Sequence, residues 1–245
     1  MNNMLKTTVA AVILALGLIL SSFVLSKFFV SVKHEKAITV KGYAESDIVS
    51  DIGKFYCTAS ARDPDQKAAY EKSRANLAAV LDFLKRSGFS ESEITADAVQ
   101  MCRVNKRNEK GIQTNETEFY DAYQTVSIAS SNVSLVRDVS RRMTELIKEG
   151  IDISVGSPEF LVSDLKDAKL SLLAAATEDG FRRAQSLAQH SGARVGALVS
   201  AQQGVLQITQ RHSTETSGYG MYDTSTIEKT VKAVVTLEYQ IEPEK

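Results

Sequence analysis

Residues 52–86 read IGKFYCTASA, then RDPD, then QKAAYEKSRANLAAVLDFLKR, and this stretch decides the fold. From Ile52 to Ala61 the side chains alternate, so Phe55, Cys57 and Ala59 point to one face of an extended strand. Asp63-Pro64-Asp65 ends the strand and opens a helix from Gln66 to Arg86. Leu77, Val80, Leu81 and Leu84 recur there at helical spacing, and Ser87-Gly88 stops it. A strand running straight into an amphipathic helix predicts a helix laid on a sheet.

The same grammar extends downstream. Val99–Val104 and Phe119–Ser130 read as strands, joined by the polar stretch Asn105–Glu118 around Gly111, a long mobile hairpin tip. Ser131 or Asn132 caps a second helix, with Val136, Val139, Met143, Leu146 and Ile147 as its buried stripe and Gly150 at its end. Ile151–Val162 is a strand interrupted by Gly156-Ser157-Pro158, where proline marks a bulge or an edge. From Ile52 onward the order is therefore strand, helix, strand, strand, helix, strand. This is the split βαβ, ferredoxin-like order of an α+β protein.

A long third helix follows, from Asp164 to about His190, with Leu172, Ala175, Ala176, Ala184, Leu187 and Ala188 on its inner side. Two further strands, Val195–Gln210 and Thr230–Ile241, close the chain, and the strand Ile38–Ala44 precedes it all, set off by polar Ser46–Asp51. In this topology a third strand separates Cys57 from Cys102. At about 4.8 Å per strand they lie roughly 10 Å apart, beyond the reach of about 7 Å that a disulfide allows. Both thiols are expected to be free.

Upstream, Thr7–Ser26 carries no charge, and Phe28–Val32 extends the apolar run past Lys27. About twenty residues at 1.5 Å each make roughly 30 Å of helix, the thickness of a bilayer's hydrocarbon core. Residues 1–36 are thus expected to form a transmembrane anchor, spanning at 7–32, with a juxtamembrane segment, and residues 37–245 a domain. A cleaved signal peptide is the competing reading. Its apolar region is normally shorter, and Val24-Leu25-Ser26-Lys27-Phe28-Phe29 is bulky where a peptidase wants small residues. No cysteine follows to make a lipoprotein. The flanking lysines, Lys6 on one side and Lys27, Lys33 and Lys36 on the other, lean slightly towards an inside domain and do not place it outside.

From Ala37 onward acidic residues outnumber basic ones by four, giving a mildly acidic, solvated domain with no basic stripe interleaved with aromatics. Nucleic acid is therefore not an expected partner. His34, His190 and His212 share no metal-ligand spacing, no serine sits in Gly-x-Ser-x-Gly, and no cysteine neighbourhood marks a nucleophile. Neither a metal, a cofactor nor an enzyme activity is indicated. Ser217-Gly218-Tyr219-Gly220-Met221-Tyr222 lies between two strands without the following helix that a phosphate cradle needs. Tyr219, Met221 and Tyr222 place apolar area on a loop, which suits a contact with a neighbouring subunit or partner.

The chain resembles the SIMPL-domain family of periplasmic and membrane-associated proteins. The resemblance lies in Ile38-Thr39-Val40-Lys41-Gly42, in the long helix with Arg183–Ala188 running into Gly192–Gly196, and in the closing strand Val231–Ile241. It implies an exported, non-enzymatic α+β protein, homo-oligomeric rings or cages in some members, links to envelope and oxidative stress, and a domain outside the cytoplasmic membrane. The long anchor departs from relatives that are simply secreted, and Ser213–Thr226 stands where a proline-rich linker is often found. Two functional classes remain open: a tethered subunit that assembles with copies of itself, and a module binding a small envelope ligand between sheet and helices.

Overall fold

A computed structural model describes Thr8 and residues 13–26, 37–215 and 217–243. The chain is mixed α+β. Helix α1 covers residues 13–26, and its large apolar side chains, among them Leu14, Ile19 and Phe23, are more than half exposed. The rest of the expected anchor, Thr8 apart, lies outside the described residues, as does the segment 27–36. Among the described residues no helix is long and apolar enough to cross a membrane.

Residues 37–245, expected as one domain, fall into two compact units whose boundaries cut strands β1 (Ala37–Val49) and β10 (Glu228–Pro243). The larger unit comprises Glu45–Leu170 and Val205–Lys232. Its six-stranded sheet holds β2 (Ile52–Asp63), β3 (Ile94–Ala96), β4 (Gln100–Arg107), β5 (Gln113–Ser130), β6 (Ile153–Val155) and β7 (Glu159–Leu161). β2 and β5 are central; β3 and β4 pair with β5, and β6 and β7 with β2, all antiparallel.

Helix α2 (Gln66–Arg86) begins at Asp65, whose carboxylate accepts the Ala68 amide at 2.9 Å. It buries Ala69, Ser73, Leu77, Val80 and Leu84, a stripe of three- and four-residue steps. Helix α3 (Val133–Arg142) is capped by Asn132, which accepts the Leu135 amide at 3.0 Å. Both helices cover the face carrying Phe55, Cys57, Ala59, Val126 and Ile128, and these side chains form one core with Phe89, Met143, Leu146 and Phe160. The layer between sheet and helices is thus filled with packed side chains.

Several elements differ from their sequence reading for identifiable reasons. Ser46–Val49 continues β1, which pairs with β10, and the polar Asp47 within it is met by Thr230, which donates to it at 2.9 Å, and by Arg211 at 3.0 Å. The expected loop Asn105–Glu118 is mostly strand, leaving a tip in which Asn108 accepts the Lys110 and Ile112 amides. Residues Met143–Glu149 tighten to a 3-10 helix of three residues per turn, so Met143 and Leu146 stay inward while Ile147 turns out, 54% exposed. Ile151–Val162 is two short strands, not one, and Val195–Gln210 divides into β8 (Ala193–Gln203) and β9 (Gln207–Gln210).

The smaller unit contains the amino-terminal part of β1, helix α4 (Lys166–His190) from Ser171, β8, and the carboxyl-terminal part of β10. β10 lies between β1 and β8. The buried stripe of α4 is Leu172, Ala176, Gly180, Ala184 and Ala188, every fourth residue, while Ala175 and Leu187, expected inside, are exposed. Small side chains at each step let the helix backbone approach the sheet closely. A Cβ on Gly42 would collide with the Ala176 carbonyl oxygen and come within 2.7 Å of the Gly180 amide nitrogen. The Tyr43 amide donates to the Asp179 carboxylate at 2.9 Å, pinning strand to helix. A Gly42→Ala chain should therefore lose about 3 kcal/mol of stability in urea unfolding. Gly218→Ala, whose Cβ would meet nothing within 4 Å, should stay within about 0.5 kcal/mol of the parent.

Candidate functional site

The loop after β9 carries the contact residues read from the sequence, and it is more structured than its composition suggests. Gln207 clamps its middle: the side-chain amide donates to the Ser217 carbonyl at 3.0 Å, and its oxygen accepts the Ser217 amide at 3.1 Å. The chain then runs alongside β9 in the same direction. The Ile208 amide donates to the Met221 carbonyl and the Asp223 amide to the Ile208 carbonyl, each at 2.8 Å, which makes a short parallel bridge. Arg211 joins Asp47 and Glu228 at the loop's base, at 3.0 and 3.1 Å. The Lys232 ammonium donates to the Ser213 carbonyl.

Asp223 organises the return. Its carboxylate accepts from the Ser225 amide and hydroxyl, from Thr226, and from the Lys229 ammonium at 3.1 Å. Lys229 is fully buried and also donates to the Thr226 carbonyl. Burial alone would raise the Asp223 pKa, but hydrogen bonds from Thr226, Ser225 and Lys229 outweigh it and hold the carboxyl below the usual aspartate range. A fully buried lysine on a strand is costly unless paired.

Sequence reasoning missed this pair, although parity carried the signal. In the alternation Val231, Ala233, Val235, Leu237, position 229 points inward, so a lysine there demands a buried anion. The Asp-x-Ser-Thr turn supplies it.

The three predicted contact residues are not alike. Tyr219, at the loop's tip, is 99% exposed. Tyr222 is 46% exposed, and its hydroxyl accepts the Val162 amide at 3.3 Å. Met221 is half-buried against its own unit. Of the three, Tyr219 is the most open, Tyr222 is partly open and Met221 is half-buried.

The remaining candidate chemistry is dispersed. His34 lies outside the described residues, the His190 Nδ1 sits 2.7 Å from the Ser186 carbonyl oxygen, and His212 occupies a left-handed turn. Among the described residues no cluster of three or more His, Cys, Asp or Glu side chains is arranged to hold a metal. Cys57 is buried on β2 and Cys102 exposed on β4, with β5 between their strands, and both thiols are free. Burial pushes the Cys57 thiol up to about 12.

The profile of the SIMPL family, described as "Protein of unknown function (DUF541)", matches residues 38–239. The chain belongs to the SIMPL family. Its first matched residues are those of β1, and the match runs to Tyr239 on β10, so this SIMPL region draws on both compact units. No curated protein matches the chain. A solved structure, the crystal structure of an uncharacterized conserved protein from Listeria innocua, is similar at 10% identity over 81% of this chain and 92% of that one, with a TM-score of 0.18.

Asp223→Ala should destabilise the larger unit by about 3–5 kcal/mol by stranding the Lys229 charge, and Lys229→Met in the same chain should restore much of the loss, measured as urea midpoints. The sign of the pKa shift makes the carboxylate's contribution complete above the ordinary aspartate value, about 3.9, and progressively lost as pH falls below it. A second measurement addresses the cysteines. Iodoacetamide on the native protein should label Cys102 alone, and both thiols only after unfolding, as read by intact mass.

Proposed function

We propose that this SIMPL protein is a membrane-tethered, non-enzymatic envelope protein that assembles with copies of itself into a ring or cage. The apolar run 7–32 supports tethering to the cytoplasmic membrane by a single span. Family membership supports placing the carboxyl-terminal domain outside the cytoplasm, with a link to envelope or oxidative stress. The strand order of the larger unit, with β2 and β5 central, supports reading it as a ferredoxin-like split βαβ arrangement.

The observation that carries self-assembly is Tyr219. An aromatic ring left 99% exposed on a loop tied down by Gln207, Asp223 and Lys232 suits contact, because tying the loop lowers what ordering it costs on association. In the smaller unit, Leu187, Leu198 and Val199 add exposed apolar area at 56%, 50% and 46%. Subunits anchored in one plane gain effective concentration from the shared membrane, so modest interfaces suffice.

Native mass measurement and electron microscopy of the detergent-solubilised full chain test this reading. The expected result is a symmetric assembly larger than a dimer, and Tyr219→Ser should weaken it at least about tenfold in dissociation constant, as interfacial aromatic anchors do. A wild-type monomer at all concentrations, or an assembly indifferent to Tyr219→Ser, removes the proposal.

A further inference from the structure

The sheet of the larger unit has a second face, turned away from α2 and α3. Alternation assigns it Lys54, Tyr56, Thr58 and Ser60 on β2, opposite Ala129, Ser127, Thr125 and Tyr123 on β5. At one end this face deepens into a cleft of about 400 Å³. Register builds its floor: Thr95 pairs with Ser127, Ser127 with Tyr56, and Lys54 with Glu159. Ser92 and Ser157 stand at its sides.

Tyr56 is the centre of the arrangement. Gly156 donates its amide to the Tyr56 carbonyl at 2.9 Å, and the ring lies so close over Gly156 that a Cβ there would sit 2.5 Å from the ring carbon bearing the hydroxyl. The ring is therefore laid against the backbone, with 55% of the residue still exposed, and Tyr56 lines the cleft. A flat aromatic surface held open in advance is a binding platform that loses little freedom on contact.

The groups around the ring select the ligand. Thr95, Ser127 and Ser157 are neutral hydroxyls, each able to donate and accept, whereas the Ser92 hydroxyl is bonded to that of Ser90 at 3.0 Å. Glu93 lines the cleft but is committed to Ser90, whose amide and hydroxyl both donate to it at 2.8 Å. Lys54 and Glu159, on neighbouring strands, offset one another, while the Glu93 carboxylate is held ionised by hydrogen bonds, so the lining is left mildly negative and disfavours an anion. We propose that this cleft binds a neutral saccharide of one or two rings, its C–H face stacked on Tyr56 and its hydroxyls met by Thr95, Ser127 and Ser157. The proposal goes beyond self-assembly and stands whether or not the chain forms oligomers.

Titration calorimetry of the full chain in a sugar-free detergent tests it, with N-acetylglucosamine, its β-1,4-linked dimer and maltose as probes. The chain has no tryptophan, so tyrosine fluorescence gives a second readout. Saturable binding of at least one probe is expected, weakened at least about tenfold by Tyr56→Ala. Thr95→Val removes one hydroxyl with little change of shape and should weaken binding about threefold or more at unchanged melting temperature. No saturation by roughly 10 mM, well above a millimolar dissociation constant, overturns the proposal, as does binding that both substitutions leave intact. Binding of alanine instead of the sugars, bridging Lys54 and Glu159 as a zwitterion, also overturns it.

Discussion

The antiparallel pairing of β2 with β5, from Gly53 opposite Ser130 to Asp63 opposite Tyr120, fixes the parity of the whole larger unit. It sends Phe55, Cys57 and Ala59 inward with Ile128 and Val126, and turns Lys54, Tyr56 and Thr58 outward with Ser127 and Thr125. A slip of one residue would exchange the two sets, burying lysine and tyrosine under the helices and exposing the core. Fully burying each such apolar side chain is worth about 1.5–3 kcal/mol, so the correct register wins over a slipped one by a wide margin. The cleft's chemistry on one face is therefore enforced by packing on the other.

Lys229 obeys a different logic. Packing alone would favour an apolar residue at this inward position between β9 and the returning loop, since a buried ion pair seldom outperforms well-packed hydrocarbon. What the pair with Asp223 supplies is specification. An ammonium that must meet a carboxylate and the Thr226 carbonyl restricts the course of residues 223–229. The rule of apolar alternation is broken where the fold has to hold an irregular segment in position.

This contrast explains what was legible in the sequence. Helix α2, the β4–β5 pairing and the separation of the two cysteines follow from periodicity and element order, because their side chains are sorted by solvent alone. Ser46–Val49 could not be read that way: its strand state rests on pairing with β10, far along the chain. Ile147 was misplaced since nothing local announces the change from 3.6 to 3.0 residues per turn after Arg142. The stripe of α4 was half visible in its alanines, but Gly42 and Gly180 select the every-fourth-residue face, and their mutual approach is a tertiary fact. Tyr219 was legible as exposed, whereas the Tyr56 cleft was not, because a lone tyrosine in a strand carries no sign of the glycine beneath it.

Strand β7 links the two candidate surfaces of the larger unit. Glu159 lines the cleft, the adjacent Phe160 donates its amide to the Thr224 carbonyl at 2.7 Å, and Val162 donates to the Tyr222 hydroxyl. Phe160 is itself buried in the core. Coupling between cleft and loop would require β7 to have two arrangements that each surface prefers differently. A three-residue strand anchored by a core phenylalanine and paired with Ile52–Lys54 is poorly suited to that, because shifting it would unseat Phe160. β7 is built as a shared support, so an occupied cleft and a contact through Tyr219, as proposed, would not be coupled through this strand.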